Sequence, residues 1–208
     1  MKVVAREKNL QAKAQERQET ILMFQSYQQN LNALLADFDW NPVVELGEWL
    51  WDCWCEKRRV FIVGNGGSAA NASHLANDFI YGIDLPDGYG LNVEALTANS
   101  AVMSCLANDT GYDNIFAQQL KVKGTKGDVL IVLSGSGNSA NVVNAVEVAK
   151  SLGIKTTAVL GFDGGKCKEI VQLPIHFNIN DMQISEDVQV IVGHMLMQWL
   201  SKKKQTLV

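Results

Sequence analysis

Three features of the sequence predict an α/β fold, a doubly wound five-stranded parallel sheet of flavodoxin-like type with an N-terminal helical arm. Five short β-rich runs lie between residues 60 and 179, and they are nearly continuous in apolar residues. That is the pattern of strands buried on both faces. Helical stretches separate them, and strand–helix alternation closes as a parallel sheet covered by helices. Polar segments rich in Gly, Ser and Asn follow the first three runs, at the strand ends where open parallel sheets bind ligands.

The first forty residues read as helix. Ile21, Phe24, Leu31, Leu35 and Phe38 recur at three- and four-residue steps, with Gln28 the polar interruption. A lone N-terminal helix cannot bury so long a stripe on its own domain, so packing against symmetry-related copies is expected. Asn41-Pro42 reads as an N-cap followed by proline at the first helical position. The helix it opens carries Leu46, Leu50 and Trp54. Residues 1–58 are therefore expected to form an arm used in oligomerisation, and 59–208 the α/β core, together one domain. In that core the expected strands are "VFIVG" (60–64), "LNVEALT" (91–97), "DVLIVLS" (128–134), "KTTAVLG" (155–161) and "LPIHFNI" (173–179). Helices are expected over 69–80, 113–122, 139–151 and 185–201, and "DLPDGYG" (84–90) reads as a loop.

Composition narrows the function classes. With 47% hydrophobic and 19% charged residues, the 208-residue chain is too apolar for disorder and long enough to bury a core. A formal charge of −4 supplies no basic field, which argues against direct nucleic-acid binding. Lys202 to Lys204 read as a solvated helix end. No run approaches the ~20 apolar residues of a membrane span, and the first twenty residues show no signal region. Cys53, Cys55, Cys105 and Cys167 lack zinc-finger spacing and read as free thiols of a reducing compartment. A cytoplasmic protein is expected.

Two glycine-rich segments carry the chemistry. "SGSGNS" (134–139) stands directly behind the apolar "GDVLIVL". It is either a turn or an anion cradle at a helix N-terminus, and its place at a strand end favours the cradle. In "VGNGGSAANASHLANDF" (63–79), Gly64, Gly66 and Gly67 permit tight backbone geometry and Ser68 is placed to cap the next helix. The spacing departs from the dinucleotide pattern G-x-G-x-x-G, and no acidic residue closes the second strand. His74 and Asp78 share one helix face. They can hold a metal, act as an acid/base pair or form a surface pair. Glu186, Asp187 and Gln189 open the last helix, and His194 interrupts its apolar face. Such a histidine is either a satisfied core residue or, with Gly193 allowing close approach beside it, a functional one.

In order from about residue 60 to the C-terminus, "GNGGSAANASHLAND", "ANDTGYDNIF", "GDVLIVLSGSGNSANVVNAVEVAKSLGIKT" and "GFDGGK" closely resemble the phosphoheptose isomerases, members of the SIS (sugar isomerase) fold family. The resemblance implies a zinc-dependent homotetramer that converts sedoheptulose 7-phosphate to D-glycero-D-manno-heptose 7-phosphate, the first step of activated-heptose synthesis. It implies substrate contacts at Asn65, Gly66, Gly67, Ser68, Asp78, Asn108, Asp109, Ser134, Gly135, Ser136, Ser139 and Glu186. It makes Asp78 and His194 the acid/base residues, and His74, Asp78, Glu186 and His194 the zinc ligands.

The chain departs from that pattern at three positions. Asp78 stands where the family has Glu, Glu186 where it has Gln, and Gly82 where many relatives have Arg. Asp78 is one methylene short, roughly 1.5 Å of bond, and the second carboxylate suits a divalent cation, so mutual adjustment of the two is expected. Eight helical residues rise about 12 Å. Glu186 and His194 therefore share an ion only if Glu186 precedes the regular helix, and otherwise one of them serves a neighbouring site. Two other readings stand beside the enzyme: a non-catalytic SIS protein of the replication-initiator-associating type, and a sugar-phosphate sensor. The first kind tends to lack the acidic residue at 78 and the histidine at 194. This chain has both.

Overall fold

Five parallel strands, β1 (Arg59–Val63), β2 (Asn92–Ala95), β3 (Val129–Ser134), β4 (Lys155–Leu160) and β5 (Leu173–His176), pair in the order β2-β1-β3-β4-β5. The computed structural model describes residues 2–84 and 88–206. All five strands fall inside the runs expected from the sequence or within one residue of them. β3 is central and buried throughout, with Ile131 opposite Ile62 of β1 and Thr157 of β4. The order reverses between β1 and β3, so a crevice opens above their carboxyl ends, the usual ligand position in such sheets.

The eight α-helices among the described residues are α1 (Lys2–Ala36), α2 (Asn41–Glu56), α3 (Gly66–Ile80), α4 (Ser100–Thr110), α5 (Ile115–Lys123), α6 (Ala140–Ser151), α7 (Gly165–Ile170) and α8 (Met182–Gln205). Strand side chains alternate between faces. On one face Phe61, Val63, Leu130 and Val132 form a core with Ile115, Phe116 and Leu120 of α5 and with Val142, Ala145 and Val146 of α6. The other face is covered by α2, α3 and α8, with α8 packing on both of the others. Burying Phe116 or Phe61 fully, as here, contributes about 1.5–3 kcal/mol each relative to exposure.

The chain separates into two units, Met1–Phe38 and Asp39–Val208. The boundary expected after residue 58 therefore moves, because α2 buries Val43, Leu46, Leu50 and Cys53 and contacts α8, β1, β3 and β5. Its N-cap is Trp40, not Asn41, which sits inside the helix with its amide on Asp39 at 2.8 Å. Pro42 does lie in the first turn. The helix α4 has no buried residue and so left no apolar period to read. Asn99 caps it, accepting from the Val102 N–H at 3.1 Å. Of the loop expected at 84–90, residues 85–87 lie outside the described residues.

The C-terminal lysines are not simply solvated. Lys203 lies over Trp51 and Trp199 at 4.8 and 4.6 Å, and Lys204 pairs with the buried Asp84. These contacts pin the end of α8, and the helix runs beyond residue 201 as a result. All four cysteines are free, and burial raises the thiols of Cys53 and Cys167 to about 11.

Candidate active site

A histidine pair and one carboxylate meet where α3 and α8 face each other. His74 Nε2 lies 2.9 Å from His194 Nε2, and Asp78 Oδ2 lies 3.5 Å from the first and 3.3 Å from the second. The two imidazoles are half-exposed and Asp78 mostly covered, at 15% side-chain exposure. Local structure accounts for the arrangement. The i,i+4 spacing stacks His74 and Asp78 on one face of α3, and α8 presents His194 across the seam.

Two ring nitrogens this close cannot both direct lone pairs at each other. One must carry a proton, or a cation must lie among them. Two ligand atoms at about 2.0–2.1 Å from a tetrahedral zinc stand about 3.3 Å apart. The three separations observed, 2.9, 3.3 and 3.5 Å, bracket that value. Among the described residues, His74, Asp78 and His194 are the group of metal-ligating side chains that could hold one ion. Two imidazoles and a carboxylate also match the protein ligands of catalytic zinc sites that keep a fourth position open. The residues present fit the metal.

Glu186 is not brought to this trio. It lies within α8, eight residues before His194 on one continuous helix. Its carboxyl carbon occupies space beside Gly67, 2.5 Å from where a Cβ there would be. The possibility that Glu186 precedes the regular helix is therefore excluded by the Asp181 cap, whose carboxylate accepts from the Ile184 N–H at 2.9 Å. The four-ligand set resolves into three residues at one site and a carboxylate at the start of α3.

Ser68 does not cap α3 either. Asn65 is the N-cap residue and makes no side-chain cap bond, while Ser68 is buried one turn in. There its hydroxyl accepts from Gln189 Nε2 at 3.0 Å, and Gln189 Oε1 accepts from Asn71 Nδ2 at 3.0 Å. Asn71 also donates to the Glu186 carbonyl at 3.0 Å. This buried amide network joins α3 to α8.

The serine loop runs from the end of β3 to the start of α6. Ser134 Oγ accepts from the Gly137 N–H at 3.0 Å, and Ser136 Oγ from the Asn138 N–H at 3.3 Å. A hydroxyl that accepts still has its own proton to donate. Ser139 is the N-cap of α6 and makes no side-chain cap bond, which leaves its hydroxyl available. Gly137 has φ +64° and a side chain there would collide with the Gly164 carbonyl, so only glycine fits. The segment after β4 braces the loop: the Cys167 N–H donates to the Gly137 carbonyl at 3.0 Å and the Lys166 N–H to Asn138 Oδ1 at 2.9 Å. Gly135 packs beside Met182 and Phe162.

Asn65 ties the crevice together. Its amide pairs reciprocally with Asn141 in the first turn of α6, at 2.9 and 2.8 Å, and accepts from the Tyr112 hydroxyl at 2.9 Å. Neither Asn141 nor Tyr112 was legible as a site residue, since no spacing distinguishes them. Gly66 and Gly67 are exposed at the start of α3. Asn108 and Asp109 lie exposed in the last turn of α4, bonded to each other at 2.8 Å, and Cys105 donates to Asp109 at 3.4 Å. The structure does not bring them to the histidine pair. The "TANS" segment after β2 serves structure: Thr97 contacts Ser73 Oγ at 3.3 Å, and Asn99 is the cap of α4.

Comparison with known proteins agrees with this architecture. Residues 26–161 match the SIS domain family. A phosphoheptose isomerase of Trichlorobacter lovleyi is 34% identical over 185 residues, spanning 88% of this chain and 89% of the relative. That of Rhodospirillum rubrum is 40% identical over 138 residues, 66% of this chain and 73% of its own length. The solved structure of a phosphoheptose isomerase from Neisseria gonorrhoeae superposes with a TM-score of 0.82 at 26% identity, covering 89% of this chain and 98% of the other. The Vibrio vulnificus NanR protein, solved in complex with ManNAc-6P, shares the fold at a TM-score of 0.62 and 13% identity.

Proposed function

Since this chain belongs to the phosphoheptose isomerases of the SIS-domain family, we propose that it converts sedoheptulose 7-phosphate to D-glycero-D-manno-heptose 7-phosphate, the entry step of activated-heptose synthesis. The observation that carries this reading is the convergence of His74, Asp78 and His194 above the sheet. The fold alone does not establish turnover, because NanR, solved in complex with the sugar phosphate ManNAc-6P, shares it. A reacting centre supports it.

Aldose–ketose isomerisation moves a proton between C1 and C2 through an enediol. Asp78 is the base: its Oδ2 faces the two imidazoles, so Oδ1, which accepts from Asn77 Nδ2 at 3.3 Å, is the oxygen that receives the carbon-bound proton. His194, on the opposing helix, has Nε2 turned to His74 and Asp78, so its Nδ1 is the nitrogen that exchanges protons with the sugar oxygens. Asp78 is covered enough to keep bulk water from competing. His74, Asp78 and His194 would hold zinc, which when bound polarises the adjacent sugar oxygens. Asn65, Gly66 and Gly67 lie at the mouth of the crevice, where the backbone lets a substrate approach closely.

The phosphate sits on Ser134, Ser136 and Ser139 with the first N–H groups of α6, at the positive end of its dipole. The cavity of about 600 Å³ beside the loop is lined by Asn138, by Lys166 and Lys168 and by the acidic Asp163 and Glu169, so its charges balance and the loop's own N–H groups and hydroxyls carry the phosphate reading. Ser136→Ala combined with Ser139→Ala is expected to weaken sugar-phosphate binding by ~1–3 kcal/mol, the scale of hydrogen bonds to a charged group. Isothermal titration with the substrate checks this, and unchanged affinity would move the phosphate elsewhere.

Four free thiols suit a cytoplasmic setting. The exposed apolar residues of α1 suit self-association into a tetramer. The deciding experiment is incubation with sedoheptulose 7-phosphate, with and without chelator. Product is expected to form, to stop on chelation and to return with zinc. A metal-replete protein that binds the sugar phosphate without turnover is a sensor; one that binds neither substrate nor product is an interaction module.

A further inference from the structure

His74 and Asp78 ride on α3 and His194 on α8, so closure of the trio depends on how closely these two helices approach. One contact sets that approach next to the site. Leu75 follows His74, Gly193 precedes His194, and both are buried. A Cβ on Gly193 would lie 2.7 Å from Leu75 Cδ1, 3.0 Å from Cγ and closer still to Cδ2. The leucine side chain thus fills the space that any side chain at 193 would need. Carbon atoms rest at about 3.5–4.0 Å, so a single methyl at 193 pushes the helices apart by roughly 1 Å or forces Leu75 off its rotamer.

We infer that Gly193 is a positioning residue for the reacting centre, holding His194 at metal-sharing distance from His74 through its contact with Leu75. Widening by roughly 1 Å would carry the ring nitrogens from 2.9 Å to well past the ~3.3 Å at which two ligands share a tetrahedral zinc. The network of Gln189, Ser68 and Asn71 ties the same two helices together, Gln189 and Asn71 standing four residues before Gly193 and Leu75, and the glycine contact sets the spacing beside the histidines. The serine loop hangs from β3 and α6 and meets α8 at Met182, its first residue, eleven positions before Gly193. Widening the seam therefore acts on the trio and spares phosphate binding.

This inference rests on the trio as a metal site, so the wild-type protein is the first arm of its test. Apo protein is titrated with Co²⁺ and followed by its visible absorption, alongside circular dichroism and thermal melting. Wild type is expected to bind cobalt. Gly193→Ala is expected to bind it about tenfold or more weakly, the scale on which disturbed ligand support weakens metal sites. The same variant should lose kcat with KM for the sugar phosphate little changed. Gly193→Ala with Leu75→Ala returns the missing space and is expected to recover most of the cobalt affinity. Should the single variant fail to fold, the double variant carries the test by itself. Absence of cobalt binding by wild type would overturn the metal reading and this inference with it. Wild-type affinity in folded Gly193→Ala, or a folded double variant that binds no cobalt, would overturn the inference alone.

Discussion

Asp78→Asn and His194→Ala are each expected to lower turnover of sedoheptulose 7-phosphate by ~10²-fold or more, the usual contribution of an acid/base residue. The asparagine keeps the size and place of Asp78 but cannot take a proton from carbon. In the histidine variant Asp78 stays poised and the partner that exchanges protons with the sugar oxygens is gone. His74→Ala and His194→Ala are each expected to lose bound metal, because each removes one of three ligand atoms lying within 3.5 Å of one another. Glu186→Ala should keep its metal, since that carboxylate lies against Gly67 and away from the trio. Metal content by mass spectrometry and kcat for the four variants make the check. Normal turnover by His194→Ala would reduce the histidine to a packing residue.

Glu186 shows where the sequence stops being informative. Two acidic departures from the family pattern, at 78 and 186, suggested a shared cation with the residues adjusted to each other. The 12 Å rise of eight helical residues already stood against it, and the helix geometry decides the matter. Asp78 reaches both imidazoles where α3 and α8 approach closely beside Gly193, and Glu186 takes no part in that contact. Spacing along one helix is legible in a sequence; spacing between two helices is a property of packing.

The same distinction runs through the fold. β1 to β5 were legible because each is a short apolar run bounded by polar punctuation, and strands buried on both faces can hardly look otherwise. The helix α4 was invisible because none of its residues is buried. The start of α3 was placed three residues late, since Gly66 and Gly67 are poor helix formers whose place is set by the crevice. Ser68 has the residue type of a cap but the burial of a core residue, and its partner Gln189 is 121 positions away. The serine loop, the histidines and Asp78 could be singled out as candidates because their spacing is local. Asn141, Tyr112 and the Gly193–Leu75 contact are long-range and could only be seen in three dimensions.

Leu31→Asp with Leu35→Asp is expected to break the proposed tetramer into smaller species and to lower activity with it. The helix α1 spans 35 residues, about 50 Å at the rise of an α-helix. Ile21, Leu22, Met23 and Phe24 stand exposed on it, Phe24 at 63%, and Leu31, Leu35 and Phe38 are only half-covered. Four consecutive large apolar residues in water are a cost that a soluble helix avoids unless another surface removes it. Burying each leucine contributes about 1.5–3 kcal/mol, and every copy in a symmetric assembly loses two. The charges add repulsion wherever symmetry brings equivalent positions together. Sedimentation velocity at micromolar concentration reads the assembly, and turnover is measured on the same samples. A wild-type monomer, or a variant that remains tetrameric, would remove the assembly role from the stripe. A dissociated variant with full activity would show that each subunit holds a complete site. Activity lost in step with dissociation would show that a neighbouring copy completes it.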